Sequence, residues 1–141
     1  MAQYIEFITN HPFLFAALVV VLGLIIRTEY NRFFSGIKQL SPNELTLLQN
    51  REDVVLLDIR EDKEYALGHL LHSKNIPLSI LGKRVDDVSK NKSKAIVIVC
   101  ETGARSGKAA GILKKAGFNG LSSLAGGIAN WEKANLPMTT K

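Results

Sequence analysis

One cysteine stands where a thiol could act as a nucleophile. Cys100 directly follows the apolar run of residues 95–99, which is typical of a buried strand, and precedes a short turn that leads into an amphipathic segment. The amides of such a turn and the positive end of the following helix dipole converge on one point, which favours the reactive thiolate form. A lone cysteine can also be packing material, since free cysteine is among the most buried residue types. Gly103 and Arg105 in the turn favour the reactive interpretation.

Composition limits the other functions that the chain could have. Its 141 residues have room for one domain of ordinary size. Cys100 is the only cysteine, which excludes an internal disulfide, and no Cys-x-x-Cys or His/Cys cluster suggests zinc, so neither metal nor cofactor is predicted. A single free thiol suits a reducing compartment. The net charge is +5, but basic residues are interspersed with acidic ones without a long basic stripe, so no nucleic-acid partner is predicted.

Strands alternate with helices from Ile37 onward, and this alternation places Cys100 at the end of a strand. A helix begins at Ser41 with Pro42 and a capping-box Glu44. Further helices are predicted over residues 61–67 and 78–88, from the turn after Cys100 to Gly117, and around Trp131; strands are predicted over 54–57, 76–77, 95–99 and 121–124. The pattern predicts an α/β fold with a small parallel sheet and helices on both faces.

The N-terminal segment is different in kind from the rest of the chain. Twenty residues without a formal charge lie between Glu6 and Arg27, enough for a helix that crosses the hydrocarbon core of a bilayer. A signal peptide would need a basic start and a small-residue cleavage site, and a core helix would show a polar face. We therefore predict a transmembrane helix over residues 7–26, a juxtamembrane stalk over 28–36, and a boundary between anchor (1–36) and folded domain (37–141).

The charges beside the predicted span indicate its orientation. Arg27, Arg32 and Lys38 follow the span, whereas Glu6 is the only charged side chain before it. The excess of basic residues on one side is typical of the cytoplasmic side. We predict a single-pass protein of a bacterial inner membrane, with the lipid bilayer as a partner of the helix and the folded domain in the cytoplasm.

Seven short motifs, in order and spacing, resemble those of a rhodanese domain, and the resemblance covers nearly all of residues 37–136. With the N-terminal span, the chain is similar to membrane-anchored, single-domain bacterial rhodaneses. The motifs are Asp58-Ile59-Arg60, Glu64-Tyr65, Gly68-His69-Leu70, Asn75-Ile76-Pro77, the turn from Cys100 to Ser106, Gly117-Phe118, and Leu124-Ala125-Gly126-Gly127-Ile128 through Trp131.

The resemblance implies a sulfurtransferase in which the Cys100 thiolate takes sulfur from a donor and passes it on as a persulfide. The turn would then hold the persulfide anion among its amides, and Gly103 would let it close without a Cβ clash. Arg105 would bind an anionic donor, brace the turn, or do both. The implied donor is a small sulfur-containing anion such as thiosulfate or a protein persulfide, and the acceptor is unknown. The implied binding turn consists of Glu101, Thr102, Gly103, Ala104, Arg105 and Ser106.

Supporting roles are predicted for three further residues. Asp58 and Arg60 follow a strand at the edge where ligands of α/β sheets bind, and pairing that fixes the loop is the favoured interpretation. His69 follows a helix-terminating glycine and is predicted to hold the turn by hydrogen bonds, with general-base catalysis as the alternative. Gly126-Gly127 is predicted to allow a close backbone approach near the turn. Glu101 departs from expectation, because a carboxylate beside the thiol disfavours both the thiolate and an anionic donor.

Two other functions are compatible with a similar fold. A rhodanese-related phosphatase also uses a cysteine and an arginine on one loop, but it has five residues between them, whereas four separate Cys100 from Arg105 here. A membrane-tethered adaptor would need no chemistry, and the presence of Cys100, Gly103 and Arg105 disfavours it as the sole role.

Overall fold

The computed structural model describes residues 1–34 and 36–141, and these two stretches form two compact units. The first unit contains helices α1 (Ala2–Asn10) and α2 (Pro12–Phe34). The second contains five parallel strands, a two-stranded antiparallel pair and the remaining helices. Each unit is described by itself below.

The apolar N-terminal segment is divided by a break at His11. Pro12 has no amide hydrogen and disfavours helical geometry at the residue before it, and His11 has φ −131° and ψ 56°. The segment long and apolar enough to cross a membrane is Pro12–Tyr30, with a mean hydropathy of 2.0. The predicted start of the span at Phe7 is therefore wrong, because residues 7–10 belong to α1. Helix α2 continues through 28–34, so that part of the predicted stalk is helical, while Ser35 lies outside the described residues.

A five-stranded parallel sheet forms the centre of the second unit. Its strand order is β1-β6-β5-β2-β4, and β3 pairs with β7 in a separate antiparallel pair. Asp58 is in register with Val99, so the ends of β2 and β5 bring Asp58 and Cys100 to the same edge of the sheet. The strands are β1 (Lys38–Leu40), β2 (Val54–Asp58), β3 (His69–Leu70), β4 (Lys74–Asn75), β5 (Ala95–Val99), β6 (Leu121–Leu124) and β7 (Met138–Thr139).

Helices cover both faces of this sheet, as predicted. One core cluster joins inward side chains of the sheet to Leu81, Val88 and Leu113, and the other joins them to Leu45 and Trp131. Parallel strands covered on both faces have continuous apolar sequences, as β2 and β5 do. The helices are α3 (Pro42–Arg51), α4 (Asp62–Leu67), α5 (Leu78–Leu81), a 3-10 helix (Val85–Asn91), α6 (Ser106–Lys115) and α7 (Gly127–Lys133).

Local sequence signals place most boundaries of these elements correctly. The capping box of α3 is formed as predicted: the Glu44 amide donates to Ser41 Oγ over 3.2 Å, and the Ser41 amide donates to Glu44 Oε2 over 2.8 Å. The helix predicted over residues 78–88 is instead a short α5, followed by the 3-10 helix. The brief strand predicted at residues 76–77 lies two residues earlier, at β4, because Pro77 has no amide hydrogen for a strand ladder.

Candidate active site

Cys100 lies between the end of β5 and the start of α6, and only 1% of its surface is exposed. The Gly103 amide donates a hydrogen bond to Cys100 Sγ over 2.8 Å, and the Ser106 hydroxyl lies 3.4 Å from the same sulfur. Ser106 is also the first residue of α6, so the sulfur faces the positive end of a ten-residue helix. The site therefore holds a sulfur with two hydrogen-bond donors aimed at it, an arrangement that stabilises negative charge on sulfur.

The turn around this sulfur, residues 100–106, is here named the cysteine loop. Gly103 has φ +88°, a left-handed conformation that glycine adopts without strain, and a Cβ there would lie 3.5 Å from the Gly126 nitrogen. The loop contains all six residues that were predicted after Cys100. Thr102 and Ala104 are exposed, whereas Ser106 is buried.

The start of α7 holds the cysteine loop by its backbone. The Ile128 amide donates to the Cys100 carbonyl over 2.9 Å, and the Ala129 amide donates to the Glu101 carbonyl over 3.1 Å. Gly127 has φ +60°, and a Cβ on it would lie 2.3 Å from the Cys100 carbonyl oxygen. The prediction that Gly126-Gly127 allows a close approach to the loop is confirmed.

Asp58 and Arg60 form a buried ion pair beside the loop. Arg60 Nη2 lies 2.9 Å from Asp58 Oδ2, Arg60 Nε donates to both carboxylate oxygens over 3.1 Å, and neither residue is more than 3% exposed. The Asn75 side chain donates to the Asp58 and Arg60 carbonyls, and Arg60 Nη2 donates to the Gly68 carbonyl over 2.7 Å. These contacts connect the loop after β2 to Gly68 and Asn75.

Arg60 also reaches the cysteine loop. Its Nη1 lies 3.2 Å from Glu101 Oε2, and the Glu101 side chain is 44% exposed. Burial lowers the pKa of Arg60, but its hydrogen bonds to Asp58 and Glu101 outweigh that effect, so that the pKa lies above its ordinary value. The Glu101 carboxylate, predicted to oppose an anion at Cys100, is thus partly compensated by a fixed cation.

Arg105 binds a carboxylate that sequence reasoning did not assign to the site. Its Nη2 lies 3.0 Å from Glu64 Oε1 and its Nη1 lies 3.2 Å from Glu64 Oε2, which makes a bidentate ion pair. The hydrogen bond to Glu64 raises the pKa of Arg105, and the same contact lowers the pKa of Glu64. The pair thus stabilises the fold above the ordinary pKa of glutamate, and this contribution is lost as the pH falls through the lowered pKa. Arg105 therefore braces the loop.

Both ring nitrogens of His69 lie within hydrogen-bond distance of backbone oxygens. Its Nδ1 lies 2.9 Å from the Tyr65 carbonyl oxygen and its Nε2 lies 3.1 Å from the backbone oxygen of Lys141, while its ring stacks on Tyr65 at 3.7 Å. The histidine is 4% exposed. These contacts fix the turn after α4 and leave the ring nitrogens engaged with backbone oxygens. Among residues 1–34 and 36–141, no cluster of three or more His, Cys, Asp or Glu side chains could hold a metal ion.

Comparison with known proteins adds to this geometry. The family model named Rhodanese-like domain matches residues 41–134, which include the cysteine loop and all the ion pairs described above. The uncharacterized protein YibN from Escherichia coli (strain K12) is 32% identical over 139 residues, which cover 98% of this chain and 97% of YibN. The likeness to YibN therefore includes the N-terminal apolar segment.

Two further proteins are similar to the folded domain of this chain: one has a named activity, and the other has a solved structure. The thiosulfate sulfurtransferase GlpE from Actinobacillus pleuropneumoniae is 28% identical over 102 residues, or 72% of this chain and 93% of GlpE. The crystal structure of a rhodanese-related protein from Thermoplasma volcanium superposes with a TM-score of 0.66 at 26% identity, over 74% of this chain and 99% of that one.

Proposed function

This chain belongs to the family of rhodanese-like domains, which includes sulfurtransferases, and on that premise we propose that it transfers sulfane sulfur through a persulfide on Cys100. One observation carries the proposal: the Cys100 sulfur lies at the start of α6, with the Gly103 amide 2.8 Å away and the Ser106 hydroxyl 3.4 Å away. These donors would stabilise the thiolate that attacks and the persulfide anion that forms.

The reaction has two displacement steps. The Cys100 thiolate attacks the outer sulfur of the donor. The bond between that sulfur and the rest of the donor breaks, and its electron pair leaves with the rest of the donor. With thiosulfate, the products are sulfite and the Cys100 persulfide anion. An acceptor nucleophile then attacks the outer sulfur and regenerates the thiolate; with cyanide, the product is thiocyanate.

The spacing of the loop favours this chemistry over phosphate ester hydrolysis, because four residues rather than five separate Cys100 from Arg105. The donor under this proposal is a small sulfur-containing anion or a protein persulfide. A protein with a purely adaptor role would neither gain sulfur on Cys100 nor pass it to an acceptor. Experiment can therefore separate the two functions.

We expect the fragment of residues 37–141 to fold without the N-terminal helices and to gain about 32 Da, one sulfur atom, on Cys100. All members of both core clusters lie within this fragment, so its hydrophobic core is complete. The measurement is intact-protein and peptide mass spectrometry after incubation with thiosulfate, with a persulfide donor, or with neither. A folded fragment that gains no sulfur from either donor would contradict the proposed function.

We further propose that α2 anchors the protein in a bacterial inner membrane with the folded domain in the cytoplasm. The segment Pro12–Tyr30 is long and apolar enough to cross the bilayer, and its side chains pack into no core within the described residues. Three basic residues follow the most apolar part of this segment: Arg27, Arg32 and Lys38. An excess of basic residues is typical of the cytoplasmic side of a membrane helix. That compartment would also keep Cys100 reduced.

For a C-terminal fusion of the whole chain, we expect fluorescence from a reporter that folds only in the cytoplasm. The same junction fused to a phosphatase that is active only in the periplasm should give no activity. Exchanging Arg27 and Arg32 for glutamate provides the control, because it removes the charges on which the orientation depends and should increase the phosphatase signal. Strong phosphatase activity from the unmodified chain would reverse the proposed orientation.

A further inference from the structure

Two ion pairs cross between the α4 region and the cysteine loop. Arg60, before α4, binds Glu101 in the loop, and Glu64, in α4, binds Arg105 in the loop. In each pair a carboxylate engages a guanidinium group 41 positions away. Both arginines, Arg60 beside the loop and Arg105 within it, are therefore engaged by carboxylates of this chain.

Glu64 is held in place for its contact with Arg105. It lies in the first turn of α4, where its Oε2 accepts a hydrogen bond from the Glu61 amide over 2.9 Å as part of a capping box. Both of its oxygens then face the two terminal nitrogens of Arg105. A donor oxyanion that approached Arg105 would have to compete for the guanidinium group with a carboxylate that the helix start already orients.

The cavity next to the cysteine loop carries an excess of negative charge. It has a volume of about 290 Å³, and Arg60, Glu64, Glu101 and Glu132 are among its lining residues. Three carboxylates, those of Glu64, Glu101 and Glu132, line the cavity together with one guanidinium group, that of Arg60. A doubly charged anion beside Arg105 would be repelled most strongly by Glu64, which is in direct contact with that guanidinium group, whereas a persulfide with an uncharged carrier brings at most one charge.

We propose that Glu64 is a specificity-determining residue, which occupies Arg105 and thereby selects a persulfide donor without an oxyanion group over thiosulfate. This inference rests on the proposed function and names its donor class. In the selected reaction, the Cys100 thiolate attacks the outer sulfur of R–S–SH and the carrier's S–S bond breaks. The electron pair of that bond leaves on the carrier as R–S⁻, and the proton remains on the outer sulfur of the new Cys100–S–SH, which then ionises.

The test uses the full-length chain in detergent and measures how fast Cys100 gains one sulfur at increasing donor concentrations. The two donors are thiosulfate and N-acetylcysteamine persulfide, whose carrier has no charge. We expect Glu64→Gln to lower the half-saturating concentration of thiosulfate about three- to tenfold at low salt, since one partly exposed charge has an effect of that size. The half-saturating concentration of the persulfide should change less than about twofold.

The matched control is Glu132→Gln, which removes one charge from the same cavity without touching Arg105 and should shift thiosulfate use less than twofold on the same grounds. Glutamine at position 64 can still accept the Glu61 hydrogen bond, so α4 should retain its cap. If the variant nevertheless does not fold, Glu64→Asp decides, because its shorter side chain keeps the charge but weakens the contact with both terminal nitrogens of Arg105, and it should lower the half-saturating concentration of thiosulfate in the same direction.

The outcomes separate this inference from the proposed function. Loading of the unmodified protein from neither donor would overturn both. Loading from both donors, with thiosulfate use unchanged in Glu64→Gln or slowed to the same extent as persulfide use, would overturn only the role of Glu64. A shift of equal size in Glu132→Gln would also overturn it, because the effect would then belong to the general field of the cavity.

Discussion

Cys100→Ser is expected to abolish sulfur transfer while leaving the fold almost unchanged. A serine hydroxyl is not a nucleophile at the pH where a thiolate is, so neither the persulfide nor thiocyanate should form above background. The serine has nearly the volume of the cysteine and can still accept the hydrogen bond from the Gly103 amide. Stability should therefore change by less than about 1 kcal/mol.

Thiocyanate formation from thiosulfate and cyanide, the mass of the intact protein and a thermal unfolding curve measure these effects. Unchanged turnover in the Cys100→Ser protein would show that Cys100 does not carry the sulfur. A large fall in the midpoint of unfolding would contradict the expected small change in stability and would show that the buried thiol contributes substantially to packing.

Elements with a strong local signal could be predicted from the sequence. β2 and β5 are continuous apolar runs, and α3 begins with a complete capping box, so short stretches of sequence determine them. The three short strands β1, β3 and β7 were not predicted, because two or three residues carry no periodicity and become strands only beside a partner. The break at His11 follows from Pro12, which disfavours helical geometry at the residue before it. Hydropathy alone does not indicate this break, because both sides of it are apolar.

In the site, too, some features follow from neighbouring residues, whereas others depend on residues that are far apart in the sequence. The position of Cys100 between strand and helix, and the left-handed conformation at Gly103, follow from the residues of one turn. The contact of Glu64 with Arg105 depends on how α4 and the cysteine loop meet in the folded chain. Glu64 belongs to a motif of the resemblance and to a helix cap, but neither signal indicates an arginine 41 positions later.

Gly127→Ala is expected to damage the site from outside the cysteine loop. Its Cβ would lie 2.3 Å from the Cys100 carbonyl oxygen and 2.6 Å from the Glu101 carbonyl oxygen, so either α7 or the loop backbone has to move. The residue also has φ +60°, which costs an alanine additional strain. We expect a loss of about 2 kcal/mol or more in the free energy of unfolding.

The loss of activity should exceed what this destabilisation alone explains. The Ile128 and Ala129 amides, directly after the substituted residue, hold the Cys100 and Glu101 carbonyls, so a shift of α7 moves the loop that orients Cys100 Sγ. A displacement of about 1 Å in a reacting group can cost roughly a hundredfold in rate, and we expect a fall of that order in sulfur loading at a temperature where the variant remains folded.

Gly111→Ala is the matched control, because a Cβ at this helical glycine meets nothing within 4 Å. This substitution should stabilise α6 by about 0.5–1 kcal/mol and leave sulfur loading unchanged. Sulfur loading of Gly127→Ala at the rate of the unmodified protein would show that the cysteine loop does not depend on its contact with α7. Equal losses of loading in both variants would place the sensitivity in α6 rather than in the approach of Gly127 to Cys100.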